Sequence, residues 1–209
     1  MAKSLKVNIN GKKIDFPTCY EELSFNQLEQ LFKNINADLN KVLNILTGED
    51  MSNAKVSQVE PLLPFIQYLA DEPEVKKQYY INEKEVEIPD NLDVKTWGQK
   101  LMYQKNYEAY VKKEIDFETY STTGAKIYLQ YEMDGVFSEQ KVNELELDLS
   151  PIDVVLINDF FLNCFLQSLK ENQRYYDPQT APKKSKQGLK GLKSTGVGER
   201  FTTWLKKMF

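Results

Sequence analysis

Glu144, Glu146, Asp148, Asp153 and Asp159 are the densest group in this chain whose side chains could do chemistry. One or two carboxylates can hold Mg²⁺ against substrate phosphates, so the group fits a metal-dependent nuclease. The stretch "NELELDLS" also alternates acidic with apolar residues, as the solvent face of a strand does, and a solvated face is the reading adopted here. Histidine is absent. That removes Ser-His and Cys-His nucleophile pairs, imidazole general bases and His-containing metal sites. Gly191 and Gly196 have the spacing that opens a phosphate-binding loop, but Val197 and Gly198 stand where Lys and Ser/Thr are required. Cys19 and Cys164 lie far apart and outside any ligand spacing, which suits free thiols in a reducing compartment. The sequence therefore points to a protein that is not an enzyme, with no catalytic, cofactor-binding or metal-binding residue assigned and no cofactor expected.

The residues assigned to a partner are Phe201, Trp204, Leu205, Met208 and Phe209, which recur at helical spacing and form one apolar stripe. A short helix of this kind is marginal alone, and its aromatic face needs a cover. Docking onto its own body and docking onto another molecule, as a helix in a groove, both stay open. Contact with an anionic membrane through Lys206 and Lys207 is a third and weaker choice. The preceding residues 173–198 are rich in Lys, Gly, Ser and Pro and read as a flexible basic linker. From residue 173 onward nine Lys/Arg face two Asp/Glu, so this segment carries +7 and the rest −11 of the chain's net −4. Basic charge so placed leaves nucleic-acid contact through the tail open.

The elements that position these residues begin with a repeated phrase. "VNINGKKIDFP" from Val7 and "YYINEKEVEIP" from Tyr79 share one register. Asn10-Gly11 predicts a tight hairpin turn, and Asn82-Glu83 stands at the same place without the glycine. Pro17 and Pro89 end the strands. Ser24-Phe25-Asn26-Gln27 and Thr96-Trp97-Gly98-Gln99 then read as capping boxes, with Phe25 and Trp97 expected in equivalent, largely buried places. Leu23 and Leu28 add a hydrophobic staple in the first copy. The phrase encodes a hairpin, a connection and a capped helix, used twice, near residues 5–48 and 79–113.

Leu39, Val42, Leu43 and Leu46 predict a helix stopped by Gly48. Pro61 and Pro64 confine the next helix to residues after Pro64. "AKIYLQYEMDG" alternates Ile127, Leu129, Tyr131 and Met133 and reads as a strand ending in an Asp134-Gly135 turn. Ser150, Pro151 and Asp153 start a helix over residues 151–171 that should be the most buried, with a narrow polar stripe through Asp153, Asn158 or Asp159, Asn163 and Gln167 serving as a polar edge or a partner contact. The fold class is α+β: mainly helical, with short β-hairpins, a partly duplicated hairpin-helix unit and a flexible C-terminal arm. Residues 1–172 form the body, 173–198 the linker and 199–209 the amphipathic helix. Forty-one per cent hydrophobic residues suffice for a folded body. The N-terminus "MAKSLKVNIN" lacks a signal-like apolar core, and no stretch is long enough for a membrane span.

"VNINGKKIDFPTCYEELSFNQLEQL", continuing into "DLNKVLNILTGED" and echoed by "VEIPDNLDVKTWGQKL", resembles small proteins encoded among the structural genes of tailed bacteriophages. The likeness covers roughly the first half of the chain and brings no catalytic residues. It implies a virion-structure or tail-assembly role, the chaperone-like class included, through contacts with other phage structural or assembly proteins. It also implies a location in the virion or the host cytoplasm. A homo-oligomer is a further expected partner state. The basic tail and its aromatic helix are not part of the pattern, so permanent virion component and transient assembly factor both stay open. The alternatives are a nucleic-acid-binding accessory protein and, behind it, a carboxylate/Mg-dependent enzyme.

Overall fold

The chain, as a computed structural model, is described over residues 4–34, 37–71, 73–89 and 95–176, with side chains to residue 166. Its described residues divide into two compact units, one of residues up to Glu74 with Ser150–Asp153, the other of Val75–Leu149 with residues 154–176. Both open with the same construction.

In the first unit, β1 (Leu5–Ile9) pairs antiparallel with β2 (Lys12–Phe16), Val7 opposite Ile14 and Ile9 opposite Lys12. Alternation puts Ile9 and Phe16 in the core and leaves Lys6 and Asp15 paired outside at 2.8 Å. A 3-10 turn at Tyr20–Glu22 leads to α1 (Phe25–Lys33) and α2 (Leu39–Thr47), the latter capped by Asp38 and closed by Gly48 as its spacing predicts. Leu23 and Leu28, the expected staple, are both buried. A short α3 (Val56–Val59) runs into a 3-10 helix over Glu60–Ala70, which carries both prolines, where the sequence reading begins a helix only after Pro64. A proline inside an α-helix clashes with the carbonyl four residues back, and the tighter 3-10 winding accommodates Pro64.

The second unit repeats the scheme. β3 (Gln78–Ile81) pairs with β4 (Lys84–Glu87), Tyr79 opposite Val86 and Ile81 opposite Lys84, the register of the first hairpin displaced by the repeat. The turns also agree. Asn10 and Gly11 have φ of 51° and 83°, and Asn82 and Glu83 have 49° and 64°. Two consecutive left-handed residues make the type I′ turn that matches strand twist, so the second copy keeps the turn without its glycine. The duplicated hairpin-helix unit is thus present in the fold. α4 (Trp97–Val111) follows, capped by Thr96, and its extent agrees with the sequence expectation.

Three expectations fail in this unit. "AKIYLQYEMDG" is not a strand but the end of α5 (Phe117–Asp134), capped by Asp116 and ended by Gly135. Tyr120, Ser121, Gly124, Ala125 and Tyr128 are buried at helical spacing, and Ile127 and Leu129 are buried as well, so this helix is covered on more than one side and its sequence shows no single face. Trp97 is 68% exposed whereas Phe25 is half-buried, because α4 turns its Gln99, Tyr103 and Asn106 face to the core and Trp97 lies opposite. "NELELDLS" forms the end of α6 (Glu139–Glu144) and an irregular segment, with Leu145 in and Glu146 out but no strand.

α7 runs Pro151–Tyr176, so residues 173–176, read above as the start of the linker, are helical. Ser150 caps it, accepting from the Asp153 amide at 3.3 Å and donating to Asp153 Oδ2 at 2.7 Å. Along the polar stripe Asp153 and Asn158 are buried, whereas Asp159 and Asn163 are half-buried. The remaining linker and the terminal helix lie outside the described residues.

A left-handed conformation costs a side-chain-bearing residue on the order of 1 kcal/mol relative to glycine. Glu83→Gly should therefore raise stability by up to about 1 kcal/mol, and Gly11→Glu should lower it by a similar amount. Thermal or urea unfolding of the two variants checks this opposition.

Candidate functional site

The five carboxylates that could do chemistry are dispersed by role. Glu144 ends α6 and accepts from Gln140 at 2.8 Å, Glu146 and Asp148 are exposed, Asp153 belongs to the start of α7, and Asp159 lies one residue past the buried Asn158. Among the described residues, no group of three or more His, Cys, Asp or Glu could hold a metal ion. The partner-binding residues Phe201, Trp204, Leu205, Met208 and Phe209, and the failed phosphate-loop glycines, lie outside the described residues. Cys19 and Cys164 are half-buried and not disulfide-bonded, and burial pushes the Cys19 thiol above its ordinary value, making it a weaker nucleophile.

The densest buried polar cluster belongs to the second unit, and sequence reading does not assign it. Tyr103 from α4, Tyr120 from α5 and Asn158 from α7 meet there. The Tyr103 and Tyr120 hydroxyls are 3.0 Å apart, and Tyr103 donates to Asn158 Oδ1 at 3.1 Å. Asn106 Nδ2 donates to the Tyr120 carbonyl at 2.9 Å. Phe161 and Phe165 close over the Tyr103 ring at 4.7 and 5.3 Å between centroids. Gly124 makes the approach possible, because a Cβ there would stand 1.8 Å from Asn158 Oδ1. Burial drives Tyr103 far up from its ordinary value and raises Tyr120, whose bonds to Tyr103 and Asn158 oppose the shift, so both hydroxyls stay neutral as hydrogen-bond partners. Asp159 is also raised, first by burial, with only the Asn163 amide at 3.4 Å opposing it. This cluster locks three helices together.

Other buried hydroxyls lack a partner. Tyr68 Oη in the first unit, Tyr128 Oη and Ser121 Oγ in the second, and the Glu22 Oε1 carboxylate oxygen make no hydrogen bond to described residues. The other Glu22 oxygen accepts from the Thr18 amide at 2.6 Å. At the α5–α6 corner the opposite holds. Gln130 Oε1 accepts from the Ser138 amide, Gln130 Nε2 donates to the Val136 carbonyl, and Lys141 reaches Asp134 at 2.8 Å. Lys141 and then Gln130 hold Asp134 down to about 2.

The surface offers apolar area for contact. Trp97, Leu101 and Val111 on α4 are 68%, 41% and 59% exposed, with Tyr107 beside them. Lys100 lies over the Trp97 ring at 5.2 Å from its centroid. Sequence reading misses this face because a helix-start aromatic reads as core. The signal that could reveal it is Lys100 in the second copy where the first has the buried Leu28.

Removing one hydroxyl separates these environments. Tyr103→Phe takes a partner from Tyr120 and Asn158 and should cost about 1–2 kcal/mol, whereas Tyr68→Phe and Tyr128→Phe should be neutral or slightly stabilising. Gly124→Ala should cost about 1–3 kcal/mol or more. Denaturant midpoints of the four variants test the ranking.

Asp159 adds a pH signature. Its folded pKa is above the unfolded value, so between the two the native state binds the extra proton and stability falls as pH rises. Asp159→Asn should therefore melt higher than wild type at pH 7, with the advantage shrinking as pH falls towards the ordinary carboxylate value of 3.8. Melting curves between those limits decide it.

Compared with known proteins, the chain matches no family model, no curated protein and no solved structure.

Proposed function

We propose that this chain is a non-catalytic virion-structure or tail-assembly protein of a tailed bacteriophage, acting through protein–protein contacts in the virion or host cytoplasm. The observation that carries the non-catalytic part is how the duplicated unit uses its polar side chains. Gln27 and Gln99 close their own helix caps, and the tyrosine–asparagine cluster ties helices together, so these groups are engaged in holding the scaffold. The phage part rests on the resemblance of the first half of the chain. The partners in this reading are other structural or assembly proteins, met by the apolar stripe Phe201, Trp204, Leu205, Met208 and Phe209. No helix among the described residues is long and apolar enough to cross a membrane.

Quantitative mass spectrometry of purified particles and assembly intermediates tests this reading. A virion component keeps a fixed copy number in mature particles, and a chaperone-like factor is found only in intermediates. Absence from both would overturn the proposal, and co-purification with replicating nucleic acid would favour the accessory-protein alternative carried by the basic tail.

With Mg²⁺ or Mn²⁺ added, the purified protein should leave nucleic acid uncut. Metal-dependent turnover lost in Glu146→Ala or Asp153→Ala would make it an enzyme instead. Once mass spectrometry has named the assembly partner, Trp204→Ala and Phe201→Ala should each weaken its binding by about 1–3 kcal/mol, the range of buried aromatic anchors, and Thr202→Ala should change it little. Titration calorimetry supplies the comparison.

A further inference from the structure

Helix α4 has two unlike sides. Gln99, Tyr103 and Asn106 are buried, and the side opposite carries Trp97, Lys100, Leu101, Gln104, Tyr107, Glu108 and Val111. At the α-helical period these seven residues fall within roughly 60° either side of Gln104, a stripe as wide as a helix normally buries. The stripe is symmetric about Gln104 in chemistry as well as in position. Trp97 and Val111 lie seven residues to either side, Leu101 and Tyr107 three, and Lys100 and Glu108 four. Large apolar residues are thus paired with large apolar residues, and the one cation is paired with the one anion.

The geometry points to a second copy of this chain as the occupant of this face, with α4 packed antiparallel on its counterpart about a two-fold axis at Gln104. A two-fold interface must be self-complementary, residue i meeting j while j meets i. Antiparallel pairing centred on Gln104 brings Trp97 to the level of the other copy's Val111 at the centre of the seam and Lys100 to the level of its Glu108 within reach across it, each twice, with Leu101 and Tyr107 on the two flanks. A parallel arrangement would set Lys100 against Lys100 and Glu108 against Glu108. Charge therefore selects the antiparallel form. Gln104, now bonded to Glu108 of its own helix at 2.8 Å, would meet its own image at the centre. One helix face buries less than the standard interface, so the dimer is of the weak, concentration-dependent class.

The test is sedimentation of the full chain from about 1 to about 500 µM, the range in which an interface of this class associates. A reversible monomer–dimer equilibrium is expected. Leu101→Glu should abolish it. Lys100→Glu and Glu108→Lys should each weaken it about ten-fold by placing like charges in contact twice. The double variant should restore it, and mixing the two single variants should produce a heterodimer tighter than either homodimer. These residues lie on the solvent side, so circular dichroism should show each variant folded. A chain that stays monomeric throughout overturns the proposal, whether the face instead meets another protein or nothing. A dimer indifferent to Lys100→Glu overturns it too, and would place the contact elsewhere, the terminal aromatic helix included.

Discussion

One glutamine side chain in each unit joins the start of one helix to the body of the next. Gln27 Oε1 accepts from the Ser24 amide at 2.9 Å, and Gln99 Oε1 accepts from the Thr96 amide at 3.1 Å. The other end of the same side chain then donates across the helix pair, Gln27 Nε2 to the Leu46 carbonyl at 2.9 Å and Gln99 Nε2 to the Ile127 carbonyl at 3.5 Å. A helix leaves its first amides and last carbonyls without internal partners, and burying them unpaired costs free energy. Gln27 satisfies one of each at once, because Leu46 is in the last turn of α2. Gln99 meets a carbonyl inside α5, whose first lone pair belongs to the helix, and its bond is correspondingly long. In each copy the cap of one helix and the helix that follows are therefore tied by a single side chain.

The two copies diverge where they meet different surroundings. In the first, apolar Leu28 and Leu31 follow the cap and are buried. In the second, the corresponding positions are Lys100 and Tyr103, and the helix is longer. Tyr103 brings a hydroxyl into the core, which obliges α5 and α7 to supply partners, and the close passage at Gly124 follows from that obligation. Lys100 replaces an apolar anchor, and the outer side of α4 is left with a tryptophan, a leucine and a valine facing solvent. A duplication that kept its cap chemistry thus gave one copy a polar core and an apolar outer face.

Much of this was legible in the residues. Asn10-Gly11, the two capping boxes, the Gly48 stop and Ser150-Pro151 all act within a few residues of themselves, so their geometry follows from local chemistry. The turn at Asn82-Glu83 shows the limit of such reasoning: its backbone is set by strand pairing on both sides, which overrides the preference of Glu83. The segment Ile127–Met133 misled for a related reason. Alternation marks a strand only where one side is wet, and α5 is buried on more than one side, so apolar residues occur at nearly every angle around it. The candidate partner residues of the terminal stripe were legible as a pattern, and they lie beyond the described residues.

The sequence by itself determined what depends on neighbours along the chain: the repeat and its register, the two capping boxes, the Gly48 stop, the Ser150-Pro151 start and the exclusion of imidazole chemistry. Tertiary structure alone decided which side of each element is covered. Trp97 and Phe25 occupy the same place in the repeat, yet one is exposed and the other half-buried. Asn158 and Asp159 are adjacent polar residues on one helix, yet only Asn158 reaches the Tyr103 hydroxyl. The reason is physical: periodicity fixes the angle of a side chain about its own axis, but its burial depends on what another element, distant in sequence, brings to that angle.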